Sequence, residues 1–283
     1  MSAIEKVLNI ADRGFDRRKF LGGVGAAGLG AAAATLMGGS LSLVKGAGLA
    51  PQGMGGITDA DILNFALNLE YLEAEFYTVA TTGKTIEQIG IPVNGSGNLG
   101  PTTGGHRVPL LNGRSRFARI AEEIAYDEQQ HVLFLRSALN GMQIAKPAIN
   151  LDALGIGFRD IRQFLTLARA FEDTGVSAYG GAAPLIADKT TLGYAAQIAE
   201  TESLHSGNIR LQVAELNIRV TALDALDVLP PPAGTHFFTV NSQALAVIRT
   251  PSQVLAIVYG NSDPGTSSGG FFPDGVNGNI NTV

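Results

Sequence analysis

Two of the four histidines in this chain stand three residues after a glutamate, in segments with the apolar periodicity of long α-helices. The pairs are Glu128 with His131 and Glu202 with His205. Residues three apart lie on one face of a helix, so each pair can direct a carboxylate and an imidazole at a single ion. Because an ionised glutamate is costly in a helical core without a partner, the pattern favours a fold that brings both helices to one shared site.

Helical periodicity predicts four long helices, and the first of them is capped by Thr58 or Asp59. The first helix opens at Ile57–Asp61 and extends about 24 residues. The other three are predicted over Arg114–Asn140, Phe158–Tyr179 and Thr190–Asn217. Apart from a glycine-rich loop over 83–113, the connections look short. The sequence therefore predicts an all-α, antiparallel four-helix bundle over 57–220.

A C-terminal extension over 221–283 follows the bundle and has a different character. Its stretch Ser242–Tyr259 is predicted to be helical, with Pro251 dividing it into two pieces. Residues 260–283 form a glycine-rich tail, in which Phe271 and Phe272 indicate packing on the bundle rather than disorder. We therefore expect one or two short helices and then a packed irregular tail.

The first and third helices each place a glutamate on the apolar stripe, at Glu70 and Glu172. Each is followed seven residues later by a tyrosine, Tyr77 or Tyr179, which lies on the same face and can hydrogen-bond a metal ligand. Plain core packing is the alternative role for the two tyrosines. Glu73, one turn after Glu70, competes for the ligand position, but the matching tyrosine spacing favours Glu70.

Four converging carboxylates would carry four negative charges, which two divalent cations balance. Two imidazoles complete the ligand set. The chain contains no cysteine, which excludes disulfides, thiolate metal sites and iron–sulfur clusters. An oxygen-rich donor set with imidazole suits iron or manganese, and iron is favoured. We expect two metal ions roughly 3.5–4 Å apart. The alternative is a bundle with buried glutamate–histidine hydrogen bonds and no metal.

These motifs resemble the di-metal carboxylate proteins of the ferritin-like superfamily. The segment Leu69–Tyr77 is similar to an exported branch that includes desiccation-related proteins, and the resemblance covers about 57–220. The resemblance implies terminal ligands at Glu70 and Glu172, bridging ligands at Glu128 and Glu202, and capping ligands at His131 and His205.

Three features of the sequence differ from those of the storage ferritins, which belong to the same superfamily. The loop between the first two helices is long, the crossover expected between helices two and three is missing from the predicted elements, and the C-terminal extension is added. We therefore expect neither a ferritin cage nor iron storage.

The first 50 residues resemble a twin-arginine export signal, with Arg17 and Arg18 ahead of the uncharged run Gly22–Val44. The alternative is a membrane anchor, since the run is long enough to span a bilayer. Cleavage is expected between about 47 and 57. We predict a location in the periplasm, the cell envelope or outside the cell, with membrane contact only through an uncleaved signal.

The function expected from these features is that of an exported di-iron or di-manganese oxidoreductase that reacts with O₂ or H₂O₂, in a ferroxidase or peroxide-protective role. Fe(II) is a further candidate small substrate. The alternative is a non-catalytic stress-protective or binding protein on the same scaffold. The net charge of −5, without a basic stripe, excludes nucleic acid as a partner, while a homo-oligomer stays open.

Overall fold

The computed structural model describes residues 56–109 and 115–283, so the predicted export signal lies outside the described residues. Five α-helices, two single-turn 3₁₀ helices (Glu87–Ile89 and Ala183–Leu185) and one short pair of strands make up the regular structure of this part of the chain. The helices are α1 (Asp59–Thr82), α2 (Arg116–Leu139), α3 (Ile161–Ala182), α4 (Lys189–Glu215) and α5 (Pro251–Tyr259). The strands are β1 (Thr102–Thr103) and β2 (Ile149–Asn150), which pair in parallel.

Local signals in the sequence set the ends of the first helix. The Thr58 side chain accepts a hydrogen bond from the Asp61 backbone N–H, and the Asp61 carboxylate accepts one from that of Thr58. This reciprocal pair satisfies backbone donors that the first turn leaves free. At the other end Gly83 adopts a left-handed conformation with φ of 78° and closes the helix. The prediction of Thr58 as the cap is confirmed.

Helices α1 and α2 form an antiparallel pair along most of their length. The Asn64 side chain, near the start of α1, donates to the carbonyl of Met142 just beyond the end of α2, at 3.0 Å. Gln129, nearer the middle of α2, donates to the hydroxyl of Thr78, near the end of α1, at 2.9 Å. Residues near the start of α1 thus contact the end of α2, and residues near the end of α1 contact its middle, as in an antiparallel pair.

Helices α3 and α4 pair in the same way. Arg162 at the start of α3 donates to the carbonyl of Leu216 after α4, and Ser206 donates to Asp173 further along, at 2.6 Å. The all-α four-helix bundle predicted from the sequence is confirmed.

The connection between α2 and α3, residues 140–160, crosses the full length of the bundle. At its start Ile144 N–H donates to Asn64 at the beginning of α1, and near its end Phe158 packs against Phe76, close to the end of α1. Since Phe76 also stacks on Phe164 near the start of α3, α1 and α3 are antiparallel and α2 and α3 are parallel. The expectation that the crossover is missing was wrong, because an irregular crossover leaves no helical periodicity to read.

The extension contains one helix in the described chain, α5, and not the two pieces that Pro251 was expected to divide. Before it, Asn241 accepts hydrogen bonds from the backbone N–H groups of Gln243 and Leu245, and Ala244 has a φ of 59°. This side-chain turn competes with helix formation, which explains why the first predicted piece is irregular.

The glycine-rich tail packs on the bundle, as its two phenylalanines indicated. Phe272 is fully buried, and the ring of Phe271 lies 5.0 Å from that of Phe171 on α3. The backbone of Asn277 exchanges hydrogen bonds with the side chain of Asn68 on α1. Within the described residues, no helix is both long and apolar enough to cross a bilayer.

Candidate metal centre

The six side chains predicted as ligands meet in the middle of the bundle, and none of them is more than 9% exposed. Their ligand atoms form two groups of four, each within 4.8 Å. The first group is Glu70, Glu128, His131 and Glu202, and the second is Glu128, Glu172, Glu202 and His205. The two groups share Glu128 and Glu202, one from each Glu-x-x-His pair. This is the arrangement that two adjacent ions with bridging carboxylates require.

The first group is centred on the Nδ1 atom of His131. That nitrogen lies 3.2 Å from one oxygen each of Glu70, Glu128 and Glu202, which come from three different helices. Three carboxylate oxygens and an imidazole nitrogen thus enclose one small volume.

The second group is arranged around His205 on α4. Its Nδ1 atom lies 3.0 Å from Glu128 Oε1 and 3.5 Å from Glu172 Oε2. The centroids of the His131 and His205 rings are 6.4 Å apart, with both Nδ1 atoms among the carboxylates. The two histidines thus belong to a single site.

Two tyrosines connect α1 and α3 beside this site. Tyr77 on α1 donates a hydrogen bond to Oε1 of Glu172 on α3, and Tyr179 on α3 donates one to Oε1 of Glu70 on α1, both at 2.5 Å. In each glutamate the other oxygen, Oε2, is the one that faces a histidine. Each tyrosine therefore orients a carboxylate and leaves one oxygen free to bind an ion.

The protein provides no hydrogen-bond partners for most of the atoms that face the middle of the cluster. Five buried carboxylate oxygens and one imidazole nitrogen lack a partner of suitable geometry: Glu70 Oε2, Glu128 Oε1, Glu172 Oε2, Glu202 Oε1 and Oε2, and His205 Nδ1. Such atoms are costly when buried and unpaired. All of them are atoms that iron or manganese binds, so the donor set fits two divalent metal ions.

Comparison with known proteins agrees with the fold. The family model described as "Ferritin-like domain" matches residues 58–215, which is more than half of the chain. The chain belongs to this ferritin-like family. It is also similar to a ferritin-like catalase, Nec2, from Nesocodon mauritianus, with 24% identity over 270 residues, 78% of this chain and 84% of the relative. The ferritin-like resemblance is thereby confirmed, while the desiccation-related branch and the export signal stay predictions.

The electrostatics of this ferritin-like site reflect the burial of several acids in one place. Burial raises the pKa of Glu128 to about 7, although the two histidines oppose the shift. Burial, reinforced by the charge of Glu128, raises the pKa of Glu202 well above its usual range. Burial alone would lower the pKa of His205, but the carboxylates around it outweigh that effect and raise it to about 12. Without metal, the cluster therefore retains protons at neutral pH on Glu202, in part on Glu128, and on the imidazole of His205.

Buried arginines do not neutralise this cluster, because their charge is used elsewhere in the ferritin-like bundle. Arg169 and Arg210 both contact Oδ2 of Asp173, at 2.8 and 2.7 Å. Arg169 also pairs with Asp227 of the extension, and Arg210 donates to extension carbonyls. These ion pairs attach the extension to α3 and α4 and leave the glutamate cluster dependent on protons or metal.

Asp127 contributes to the site and was not found from the sequence. Its carboxylate lies 3.1 Å from Nε2 of His205, so it can hold the outer N–H of that ring and keep Nδ1 turned inward. The corresponding position before Glu202 is Thr201, so the two Glu-x-x-His segments differ at this point. The available signal in the sequence was an acidic residue directly before Glu128. It could not identify the contact, because His205 lies on another helix.

Glu73 also faces the ligand cluster, although it belongs to neither four-residue group. It is 4% exposed, and burial, followed by the charge of Glu202, raises its pKa well above the usual range. A Cβ atom at Gly175 would lie 2.8 Å from Glu202 Oε2 and 3.0 Å from Glu73 Oε1, so both carboxylates lie against bare backbone there. His106 and His236, which were not predicted as ligands, are exposed and away from the cluster.

Proposed function

We propose that this protein is a dinuclear iron or manganese oxidoreductase that converts two molecules of hydrogen peroxide into one of O₂ and two of water. The observation that carries the proposal is the pair of four-residue groups that share Glu128 and Glu202. Two divalent cations would balance the negative charges of four carboxylates. The atoms without hydrogen-bond partners are the ones that these ions would contact. The similarity to a protein named a ferritin-like catalase supports peroxide as the substrate.

The ligand roles follow from which atoms remain free. Glu70 and Glu172 would bind through Oε2, because tyrosines occupy their Oε1 atoms. Glu128 and Glu202 would bridge, whereas His131 and His205 would each bind one ion through Nδ1.

Two ions held in this way would supply the redox chemistry and Lewis acidity that peroxide cleavage needs. The protein's part is positional. Buried tyrosines, whose pKa values burial raises well above normal, stay protonated as hydrogen-bond donors to Glu70 and Glu172. Asp127 orients His205 from outside, and the surrounding apolar core keeps bulk water away from the carboxylates.

The test is to load the metal-free protein with Mn(II) or Fe(II), measure metal per chain, and follow O₂ release from H₂O₂ with an oxygen electrode. We expect two ions per chain and one O₂ for every two peroxide molecules consumed. His205→Ala should abolish both metal loading and O₂ release. The matched control is His236→Ala, which changes an exposed histidine outside the cluster and should behave as the unchanged protein does.

Other outcomes would separate the remaining functions. O₂ consumption with Fe(II) oxidation, and no O₂ release from peroxide, would indicate a ferroxidase instead. A protein that binds no metal and is fully stable without it would support the non-catalytic, stress-protective alternative and refute the proposal.

We further propose that the chain is exported by the twin-arginine route to the periplasm, the cell envelope or the outside. The support is the Arg17-Arg18 motif ahead of an uncharged run. This route carries folded proteins, so the metal could be acquired before export. Replacing both arginines by lysine should leave the protein in the cytoplasm, as cell fractionation would show.

A further inference from the structure

Two neighbouring cavities lie between the C-terminal extension and the ligand cluster. The outer cavity has a volume of about 600 Å³ and is bounded by α3, residues 221–226, and α5 with the residues after it. The inner cavity has a volume of only about 10 Å³ and lies between α1, α3 and α5. The two share three wall residues, Phe171, Thr174 and Val258. Their common wall is therefore one layer of side chains.

The inner cavity ends at the carboxylate cluster. Glu73 and Gly175 are among its wall residues. Gly175 has no side chain, so Oε2 of Glu202 and the carboxylate of Glu73 both lie close to its backbone. Glu73 thus lines the inner cavity and approaches the same glycine as a metal-binding oxygen of Glu202. Apart from Glu73, the inner wall is mostly apolar, with Leu69, Leu72 and Phe171 among its residues.

We propose that the outer and inner cavities form one passage through which hydrogen peroxide reaches the metal centre, with Glu73 as the last side chain that it meets. The choice of peroxide as the solute rests on the proposed function, whereas the path rests on the cavities alone. The extension then has a part in the activity, since Val258 of α5 supplies one side of the constriction.

The dimensions of the passage define what it can admit. A cavity of about 10 Å³ holds roughly one molecule of the size of water. Hydrogen peroxide is close to this size and uncharged, so it crosses apolar walls more readily than an ion does. At the inner end, the carboxylate of Glu73 can accept a hydrogen bond from a peroxide O–H. Hydrated metal ions and bulky organic hydroperoxides do not fit the constriction.

A third cavity, between α2 and α4, offers a competing path to the site, so the test must compare the two paths. This α2–α4 cavity, of about 180 Å³, has Asp127, Thr201 and His205 among its wall residues. A bulky side chain at Thr201 would fill it. A bulky side chain at Ala170, a half-buried position on α3 in the wall of the outer cavity, would instead obstruct that cavity one helical turn before Thr174 of the shared wall.

The experiment measures how fast nitric oxide, an uncharged diatomic probe, binds the Fe(II)-loaded protein in a stopped-flow spectrophotometer. Ala170→Trp should lower the association rate constant about tenfold, and the kcat/KM for peroxide by a similar factor, while Thr201→Trp changes both by less than about twofold. Ala170→Ser is the matched control at the same position and should leave both unchanged. Metal content and circular dichroism check that each variant is folded and loaded.

If Thr201→Trp slows nitric oxide as much as Ala170→Trp does, or more, or if neither variant slows it, the passage is refuted. Should Ala170→Trp fail to fold, Val258→Ala tests the same idea from the other side, because a wider constriction should speed nitric oxide binding severalfold. An unchanged rate in Val258→Ala would then refute the proposal. Nitric oxide binding requires no turnover, so a lack of peroxide activity would count against the proposed function alone.

Discussion

Tyr77 of α1 donates a hydrogen bond to Glu172 of α3 at 2.5 Å, and the reverse contact runs from Tyr179 of α3 to Glu70 of α1. Each tyrosine thus holds the glutamate of the other helix rather than that of its own. The exchange is a consequence of the antiparallel arrangement of α1 and α3, in which a position two turns after one glutamate lies opposite the other. It couples the packing of these helices to the orientation of two ligands.

The tyrosine contacts lead to a prediction for metal affinity. Tyr77→Phe removes the donor that orients Glu172, so the affinity for Mn(II) should fall about tenfold, in the range found for residues that support metal ligands. Competition with a chelator of known affinity measures the change. Tyr194→Phe, at an exposed tyrosine of α4, is the control. Equal affinity in the two variants would show that the contact is not needed.

Asp127 provides a second prediction, which follows from the asymmetry of the site. Asp127→Asn replaces the carboxylate that holds Nε2 of His205, so metal affinity should fall about tenfold, with little change in the stability of the metal-free protein. The control is Glu123→Gln, an exposed acid one turn earlier on α2. Chelator competition and thermal unfolding measure the two quantities. A loss of stability without a loss of affinity would contradict the assigned role.

Gly175 tests how tightly the carboxylates fit against α3. In Gly175→Ala the new Cβ would lie 2.8 Å from Glu202 Oε2, too close for either group to stay in place. Metal content per chain should therefore fall. Gly193→Ala is the matched control, because a Cβ there meets nothing within 4 Å in α4 and should stabilise the helix by up to about 1 kcal/mol. Full metal loading of Gly175→Ala would contradict this account.

Glu202→Gln separates the cost of the buried charge from its use in metal binding. The pKa of Glu202 is raised well above 4.5 by burial, so in the metal-free protein an amide is a close substitute for the protonated acid. At about pH 8 and with chelator present, the variant should be more stable than the parent by roughly 1–2 kcal/mol, yet bind metal poorly. At about pH 5 the two should be alike.

The control for this substitution is Glu200→Gln, which removes an exposed acid from the same helix. It should change neither stability nor metal binding. Thermal unfolding with and without chelator gives the comparison. A Glu202→Gln protein less stable than its parent in chelator at both pH values would show that the glutamates do not repel one another.

The pH dependence of stability should reverse sign on metal removal. The folded-state pKa of Glu128 is raised from 4.5 to about 7, so its protonated form stabilises the metal-free fold at low pH and that contribution is lost as pH rises through 7. His205, raised from 6.5 to about 12, adds a loss that begins above pH 6.5. The unfolding temperature without metal should therefore fall as pH rises from about 5 to 8.

With metal present, the ligands must release their protons on binding, so affinity and stability should increase over the same interval. Thermal unfolding in chelator and in excess Mn(II), at matched ionic strength, measures both trends. A metal-free protein that becomes more stable as pH rises would show that the cluster is not held together by protons.

Much of the fold could be predicted because its signals are local. The apolar stripes and the Thr58 cap depend on residues within one or two turns of each other, so the bundle helices could be placed to within a few residues. The crossover over 140–160 could not, since it is irregular and is held by contacts such as Ile144 with Asn64 on a distant helix. The irregular stretch before α5 was missed because an Asn241 side-chain turn outcompetes its helical composition.

The sequence by itself determined which side chains can share a face, because the helical repeat alone places Glu128 beside His131 and Glu202 beside His205. Only the tertiary structure decided which faces meet. The order and direction of the helices brought Tyr77 to Glu172, Asp127 to His205, and Glu73 to the wall of the inner cavity. These contacts join residues far apart in the chain, and their distances depend on packing across helices, which no local spacing encodes.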